Sequence, residues 1–244
     1  MNVSMQWLHA YIKETIDPYD LAEQLSLHAQ EVADVRPLYP ASGLVLGTVE
    51  KTEPIPGSKN QKCAVTVNGQ SRTIVCGAPN VAAGQSVIVA DVGAKLPGGV
   101  TIEHATINGV ASEGMIVSLD EIGLDKKYHQ ETGIHVLRDE TNQQLEALGF
   151  NDHVVELDLT PNRMDLMSVL GVAYEVSAIY DVPLTLPDIS VQESAKAHDF
   201  TTAIDTDQCD AYYGRVIEGV SVKESPEWLK NRLIASGIRP INTI

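Results

Sequence analysis

The chain has 244 residues, of which 43% are hydrophobic and 20% charged, and its formal net charge at pH 7 is −16. This length predicts two or three compact units with buried cores. A nucleic-acid binder normally carries a basic face, so the charge argues against broad, nonspecific attraction to phosphate. No apolar run approaches the ~20 residues that cross a bilayer, and the N-terminus lacks the basic flank and apolar core of a signal peptide. We therefore expect a cytoplasmic protein with no membrane partner.

The cysteines and histidines give no pattern of a metal site or a catalytic centre. Cys63, Cys76 and Cys209 are widely spaced, form no CxxC pair, and are interpreted as small buried hydrophobic residues. The seven histidines show none of the usual zinc-ligand spacings. A nucleophilic Cys76 with His104 or His135 as its base would lack an orienting third group, so core packing is the favoured interpretation. We predict no metal ligand and no catalytic residue.

The first 40 residues have a helical pattern. Leu8 and Ile12 recur at helix spacing, and a second helix is predicted to begin at Asp17-Pro18, where an N-cap residue precedes a proline in the first turn. The stretch 36–40 contains two prolines, which exclude a helix, and the pattern then changes to that of β-strands. A domain boundary is predicted there.

Short strand candidates separated by glycine, proline and asparagine turns follow from residue 44 to about residue 119. They are LVLGTVE (44–50), CAVTV (63–67), RTIVC (72–76), SVIVADV (86–92) and TIEHATI (101–107). This succession favours a small, partly open OB-fold β-barrel, although periodicity alone does not separate it from a small sandwich.

The region after residue 150 contains a compact polar motif, which consists of Thr160, Pro161, Asn162, Arg163 and Asp165. A helix is predicted over 165–180 from its amphipathic spacing. Thr160 or Asn162 can cap that helix, and Arg163 can pair with Asp165 or a neighbouring carboxylate. We therefore predict a structural role for the motif, with an RNA or interface role for Arg163 as the lesser alternative.

Three further segments complete the pattern. The polar stretch 186–198 is typical of an interdomain linker, a strand is predicted over 211–220, and a helix is predicted from 225 to Gly237. The chain then ends in Ile241-Asn242-Thr243-Ile244, which has the pattern of an apolar strand opening with no partner and no polar tail. This is an unusual natural terminus, and a fragment of a longer polypeptide is expected.

Six strings occur in order along nearly the whole chain, namely VSMQWLHAYI, IVCGAPNV, VGAKLPGG, INGVASEGMIVS, LTPNRMDLMSVLGVAYEV, and GRVIEGV with GIRPIN. Together they resemble the beta subunit of bacterial phenylalanine-tRNA ligase. Free-standing OB-type tRNA-binding proteins share the CGAPN and GxxSxGM patterns but lack the flanking helices and the TPNR-D string. The resemblance therefore favours the ligase family.

The resemblance implies an α+β multidomain chain. Residues 1–39 with 151–185 would form a discontinuous, helix-rich N-terminal domain, and an OB-fold β-barrel of the tRNA-binding type, residues 40–150, would be inserted into it. The linker 186–198 would lead to the start of a third, α/β domain, 199–244, which belongs to the editing module and is truncated here.

The family's ligase is a heterotetramer of two catalytic alpha and two beta subunits that attaches phenylalanine to its tRNA with ATP and magnesium. The resemblance therefore implies the alpha subunit and phenylalanine tRNA as partners. It also implies that this portion is non-catalytic, inactive alone and without a cofactor of its own. The alternatives are a free-standing OB-fold module that binds RNA or protein, and a scaffold whose barrel has lost RNA contact.

The candidate phosphate contacts of the barrel are four scattered cations, Lys59, Lys62, Lys95 and Arg72. The loop 55–60 reads IPGSKN where the family usually has His-Pro-Asn-Ala-Asp-Lys. Between residues 41 and 150 the aromatic residues are only Tyr128 and Phe150, which argues against a platform of stacked bases. Scattered surface cations are more often solubilising charges, which is the favoured interpretation of each one individually, and these four are the candidate RNA-binding residues.

Overall fold

The structure, a computed structural model, describes residues 1–138, 144–196 and 198–243. Its fold is α+β, with mostly antiparallel sheets and few helices, in agreement with the predicted class. The strands in these residues are β1 (Asn2–Ser4), β2 (Val32–Pro37), β3 (Ser42–Pro54), β4 (Gln61–Val67), β5 (Gln70–Cys76), β6 (Ser86–Leu96), β7 (Val100–Thr101), β8 (Ala105–Ile107), β9 (Val110–Ser112), β10 (Met115–Ile116), β11 (Val136–Leu137) and β12 (His153–Leu157). The helices there are α1 (Met5–Leu8), α2 (Pro18–His28), α3 (Leu145–Leu148), α4 (Val169–Tyr180) and α5 (Glu227–Ala235), with short 3-10 turns at Pro97–Gly99 and Met164–Leu166.

A three-stranded antiparallel sheet, in the order β1-β12-β2, brings together segments from both sides of the long β-rich region. Val155 of β12 lies opposite Val3 of β1 and Val35 of β2. Val155 and Leu157 pack with the apolar faces of α1, α2 and α4 in one buried core. Residues before β3 and after α3 therefore fold onto each other.

The prediction of helices in the first 40 residues is only partly correct. Helix α2 begins as predicted, because the side chain of Asp17 accepts hydrogen bonds from the backbone N–H groups of Tyr19 (2.9 Å) and Asp20 (3.1 Å). Helix α1, however, ends at Leu8, and Ile12 instead forms an isolated bridge with strand-like geometry. Strands β1 and β2 were not predicted.

Helix α4 begins later than predicted. Its N-cap is Ser168, whose hydroxyl oxygen accepts a hydrogen bond from the Gly171 N–H at 3.0 Å. The residues just before it, Met164–Leu166, form a separate 3-10 turn. The predicted start at residue 165 is wrong because the extended backbone of Ser168 interrupts the helix.

The second sheet has seven strands, in the order β10-β6-β3-β4-β5, with β7 and β11 also paired to β6. The first four predicted strands correspond to β3, β4, β5 and β6. Strand β3 is 13 residues long and pairs with β6 along one part and β4 along the other. Strand pairing does not close this sheet into a barrel within the described ranges.

The seven-stranded sheet is nevertheless strongly curved. Arg72 on β5 forms an ion pair with Asp91 on β6, although β3 and β4 lie between these strands in the ladder. Beyond the end of β9, the Glu113 N–H donates to the carbonyl oxygen of Thr73 on β5 at 2.8 Å. The two edges of the sheet therefore approach each other around a buried core of valines and isoleucines.

The predicted strand over 101–107 is wrong as a single element. Ile102 donates its N–H to the carbonyl oxygen of Ala94 (2.8 Å) and buries its side chain, and the chain then leaves the sheet. Strand β8 pairs with β9 as a separate two-stranded hairpin instead. The residues of this continuous apolar pattern therefore belong to two strands, β7 and β8, which pair with β6 and β9 respectively.

The predicted strand over 211–220 is absent from the described part of the chain. These residues have no regular secondary structure, and Tyr213 is 91% exposed. No neighbouring strand in the described residues supplies hydrogen-bond partners for this segment. Cys209, predicted to be buried, is only half-buried, whereas Cys63 and Cys76 are buried as predicted.

Candidate nucleic-acid interface

Two of the four predicted RNA-binding residues lie at one end of the curved sheet. Lys59 is exposed in the turn 55–60 between β3 and β4. Lys62 is exposed on β4, opposite Glu53 of β3. The Glu53 carboxylate is held at 2.6 Å by Lys51, and the hydrogen bond and charge of Lys51 lower its pKa. Lys59 and Lys62 remain available to solvent.

Lys95 lies far from these two lysines. It is exposed on β6, opposite Ser42 of β3, whereas Lys62 lies opposite Glu53. Ser42 and Glu53 are 11 positions apart on β3, which corresponds to roughly 36 Å of strand at about 3.3 Å per residue. The structure therefore does not bring the three lysines into one patch.

Arg72 has a partner within the sheet. Its guanidinium forms the ion pair with Asp91, and its side chain is only 22% exposed. Arginine presents a fixed fork of donors that suits a carboxylate. Arg72 thus connects β5 to β6, and a phosphate would have to compete with Asp91 for it.

Arg163 sits at the centre of an ion-pair network between the end of β12 and α4. Its Nε and Nη2 atoms donate to the Asp165 carboxylate at 3.1 and 2.9 Å, and Nη2 also contacts Glu175. Its Nη1 donates to the carbonyl oxygen of Ala29 at 3.3 Å. The hydrogen bond to Arg163 lowers the pKa of Asp165. The geometry gives Arg163 a cross-linking role within the fold.

Thr160, Pro161 and Asn162 are exposed and cap no helix. Thr160 Oγ1 donates to Oε1 of Gln30, just beyond α2, at 3.1 Å. The predicted capping by Thr160 or Asn162 is wrong because Ser168 occupies the N-cap position of α4.

A buried charged cluster, which sequence reasoning missed, lies where α5 packs against the region of the seven-stranded sheet. His135 is 1% exposed, with Nδ1 2.7 Å from Glu131 Oε2 and Nε2 3.4 Å from Glu227 Oε2. Lys230 Nζ donates to Glu227 at 2.7 Å. Burial lowers the pKa of His135, but the two carboxylates outweigh it and raise the pKa to about 9. His135 is therefore a protonated cation at neutral pH.

The only local signal for this cluster was the spacing of Glu131 and His135. Glu227 and Lys230 come from α5, almost a hundred residues later in the chain. No pattern within a short window could connect them to His135.

Helix α5 is also hydrogen-bonded to the core below it. The hydroxyl of Tyr39 donates to Asn231 Oδ1 at 2.6 Å, and Asn231 Nδ2 donates to the carbonyl oxygen of Leu148 at 2.7 Å. Asn231 is almost fully buried, so both bonds are shielded from water. Through these bonds α5 is connected to the segment that precedes the seven-stranded sheet in the sequence and to the segment that follows it.

The same helix contacts the N-terminal region through a cation held between two aromatic rings. The guanidinium of Arg232 lies 5.9 Å from the ring of Trp7 and 5.1 Å from that of Trp228. Because Trp7 belongs to α1 and Trp228 to α5, this contact joins the two helices.

The structure offers no assembled nucleophile at the cysteines. Cys76 is buried at the end of β5, where burial raises the pKa of its thiol, and burial raises the pKa of Cys63 to about 11. The imidazole of His135 is held by two carboxylates. Within the described ranges, no group of His, Cys, Asp and Glu residues could hold a metal ion. No helix in those ranges is long and apolar enough to span a membrane.

Two family models match the chain. The tRNA binding domain family matches residues 44–142, which include the β8–β9 hairpin and the seven-stranded sheet except for the first two residues of β3. The B3/4 domain family matches residues 208–244, which include α5. The cluster around His135 therefore lies at the junction of the two matched regions.

Relatives match the chain over its whole length. Phenylalanine–tRNA ligase beta subunits of Staphylococcus haemolyticus and Staphylococcus aureus are each 41% identical to it, and that of Shouchella clausii is 40% identical. In each case 100% of this chain aligns with 32% of the relative, so the chain spans about a third of the length of these relatives. Over its whole length, the chain is thus homologous to an N-terminal part of the phenylalanine–tRNA ligase beta subunit family.

Proposed function

We propose that this chain is a non-catalytic, tRNA-binding portion of a phenylalanine–tRNA ligase beta subunit. The observation that carries the proposal is the match of the tRNA binding domain family to residues 44–142, within a chain that aligns end to end with beta subunits. The role assigned to the region is to hold tRNA while another part of the ligase performs the chemistry.

The curved sheet fits an OB-type barrel that is partly open, and we include this fold in the proposal. The contact of Arg72 with Asp91 and the hydrogen bond from Glu113 to Thr73 both support it. Each connects β5, at one edge of the ladder, to residues that are not its neighbours in the strand order. We likewise propose the domain limits 1–39 with 151–185, 40–150 and 199–244, with 186–198 as a linker; residues 139–143, 197 and 244 lie outside the described residues.

The whole ligase, in this proposal, pairs the beta subunit with a catalytic alpha subunit and uses ATP and magnesium in the cytoplasm. The relatives are ligase beta subunits, and a beta subunit implies assembly with at least one other kind of subunit. We assign the ATP and magnesium chemistry to other parts of the ligase. No reaction step is assigned to this chain.

A salt titration of tRNA binding tests the proposal. The affinity of the chain for phenylalanine tRNA would be measured at increasing salt, beside the variant Lys59→Ala/Lys62→Ala/Lys95→Ala. Each phosphate contact contributes about 0.7 to 0.9 to the slope of log affinity against log salt. We expect salt-dependent binding by the chain and a smaller slope in the variant.

Absence of binding even at low salt would contradict the proposed tRNA role and would favour a scaffold function. Unchanged binding by the triple variant would leave the tRNA role in place but would move the contact to another surface of the same chain.

A further inference from the structure

A cleft of about 490 Å³ opens between α5 and the loop that precedes β11. Tyr128 and His129 line it from the loop, and Lys230 and Arg239 line it from α5 and the residues that follow. The cleft is therefore built jointly by the region that matches the tRNA binding domain and the region that matches the B3/4 domain.

The walls of this cleft carry more positive than negative charge. The cationic side chains are Arg138, Lys230, Arg239 and the protonated His135, and the carboxylates are Glu131, Glu224 and Glu227. Four cations thus face three carboxylates, in a chain whose net charge is −16. Four other cavities bounded by described residues each have at least as many carboxylates as cationic groups.

The carboxylates of the cleft are already engaged by cations. Glu224 contacts Arg138 at 3.1 Å, and Glu227 contacts Lys230 at 2.7 Å. Arg239 is exposed on the cleft wall and forms no ion pair in the described part of the chain. An anion entering the cleft would therefore meet Arg239 as an available partner.

His129 supplies a second, independent indication of a ligand. Its side chain is 8% exposed and lines the cleft, yet neither ring nitrogen forms a hydrogen bond in the described residues. Nε2 lies 3.2 Å from Asp120 Oδ1, but without hydrogen-bond geometry. A buried imidazole without a hydrogen bond is costly, and a bound acceptor at its N–H group would remove that cost.

We propose that this cleft binds a phosphate group of an RNA strand. Arg239 contacts its oxygens at the mouth, and His129 donates a hydrogen bond from the wall. Arg138 adds a second contact, for which the phosphate competes with Glu224. The inference rests on the proposed tRNA-binding function and assigns it a site that differs from Lys59, Lys62 and Lys95. Tyr128, also on the cleft wall, supplies an aromatic side chain for an adjoining base.

The test measures binding of phenylalanine tRNA to the full chain and to the variants Arg239→Ala and Arg138→Ala. The matched control is Arg215→Ala, which removes an exposed arginine that does not line the cleft. We expect each cleft variant to weaken binding by about 3- to 10-fold and to lower the salt slope by about 0.7 to 0.9. The control is expected to bind like the unchanged chain.

A second arm titrates inorganic phosphate and follows the ring signals of His129 by NMR. We expect a weak, saturable shift that Arg239→Ala abolishes and Arg215→Ala preserves. Equal tRNA binding by Arg239→Ala and Arg215→Ala would overturn the cleft proposal while leaving the tRNA-binding function in place. The same equality together with a phosphate shift at His129 would identify a free-anion site, which also overturns it. Complete absence of tRNA binding would remove both proposals.

Discussion

Gly123 lies in a turn that only glycine fits well. Its φ is +94°, and a Cβ atom there would lie 2.6 Å from Pro40 Cγ and 3.0 Å from Pro97 Cγ. Gly93 has nearly the same φ, +91°, with open space around the Cβ position. Substituting each glycine by alanine therefore distinguishes the free-energy cost of backbone strain, present at both positions, from that of steric overlap, present only at Gly123.

We expect Gly93→Ala to cost about 1 to 2 kcal/mol from left-handed backbone strain alone. Gly123→Ala should cost about 1 to 3 kcal/mol more, because two proline rings must move. Urea unfolding of both variants measures the difference. Equal losses would show that the prolines yield without cost.

His135 makes stability depend on pH. Its folded pKa is about 9 against a reference value of 6.5, because Glu131 and Glu227 outweigh the effect of burial. A raised histidine pKa contributes stability that is complete below pH 6.5 and is lost as pH rises through 9. At about 1.4 kcal/mol per pKa unit, the loss is on the order of 3 kcal/mol. Tyr39 and Lys230, which also face this cluster, have raised pKa values and stay protonated in this range.

Urea unfolding between pH 6.5 and pH 9.5 measures this loss, with His135→Gln as the non-titrating comparison. The variant should be less stable at pH 6.5 and should show a flatter pH dependence. Parallel pH profiles for the two proteins would contradict the charged state assigned to His135.

The position of helix α5 depends on the buried side chain of Asn231. Asn231→Ala would leave the Tyr39 hydroxyl and the Leu148 carbonyl without their partner, at about 1 to 3 kcal/mol for each buried group. Both tryptophans of the chain, Trp7 and Trp228, flank Arg232, so fluorescence reports on the docking of α5. We expect a red shift in Asn231→Ala and none in Asn162→Ala, which changes an exposed asparagine. Equal spectra for the two variants would mean that other contacts suffice to hold α5.

Elements whose signals are local could be predicted from sequence. The start of α2 depends on Asp17 and Pro18 alone, and four strands of the large sheet carry their own apolar pattern. The pattern over 101–107 failed because hydrogen bonds with two different partners, β6 and β9, divide it. Strands β1 and β2 escaped prediction because their shared partner, β12, lies more than a hundred residues away.

At the scale of the whole molecule, the sequence motifs predicted the protein family, whereas the candidate site was found only from the three-dimensional structure. The lysines selected from sequence are separated along β3, and Arg72 is paired with Asp91. The cleft beside α5 could not be predicted, because Arg138 and Arg239 are brought together only by the docking of α5. The net charge of the chain did not predict the cleft either. Its value is −16, although the cations on the cleft walls outnumber the carboxylates there.

The most direct test of the central claim is hydrogen–deuterium exchange of the chain with and without phenylalanine tRNA. The claim is that the region matching the tRNA binding domain contacts tRNA. It predicts slower exchange within 44–138 on tRNA addition, with α2 and α4 unchanged. The cleft proposal adds slower exchange at 226–240. Unchanged exchange throughout 44–138, with tRNA demonstrably bound to the chain, would contradict it.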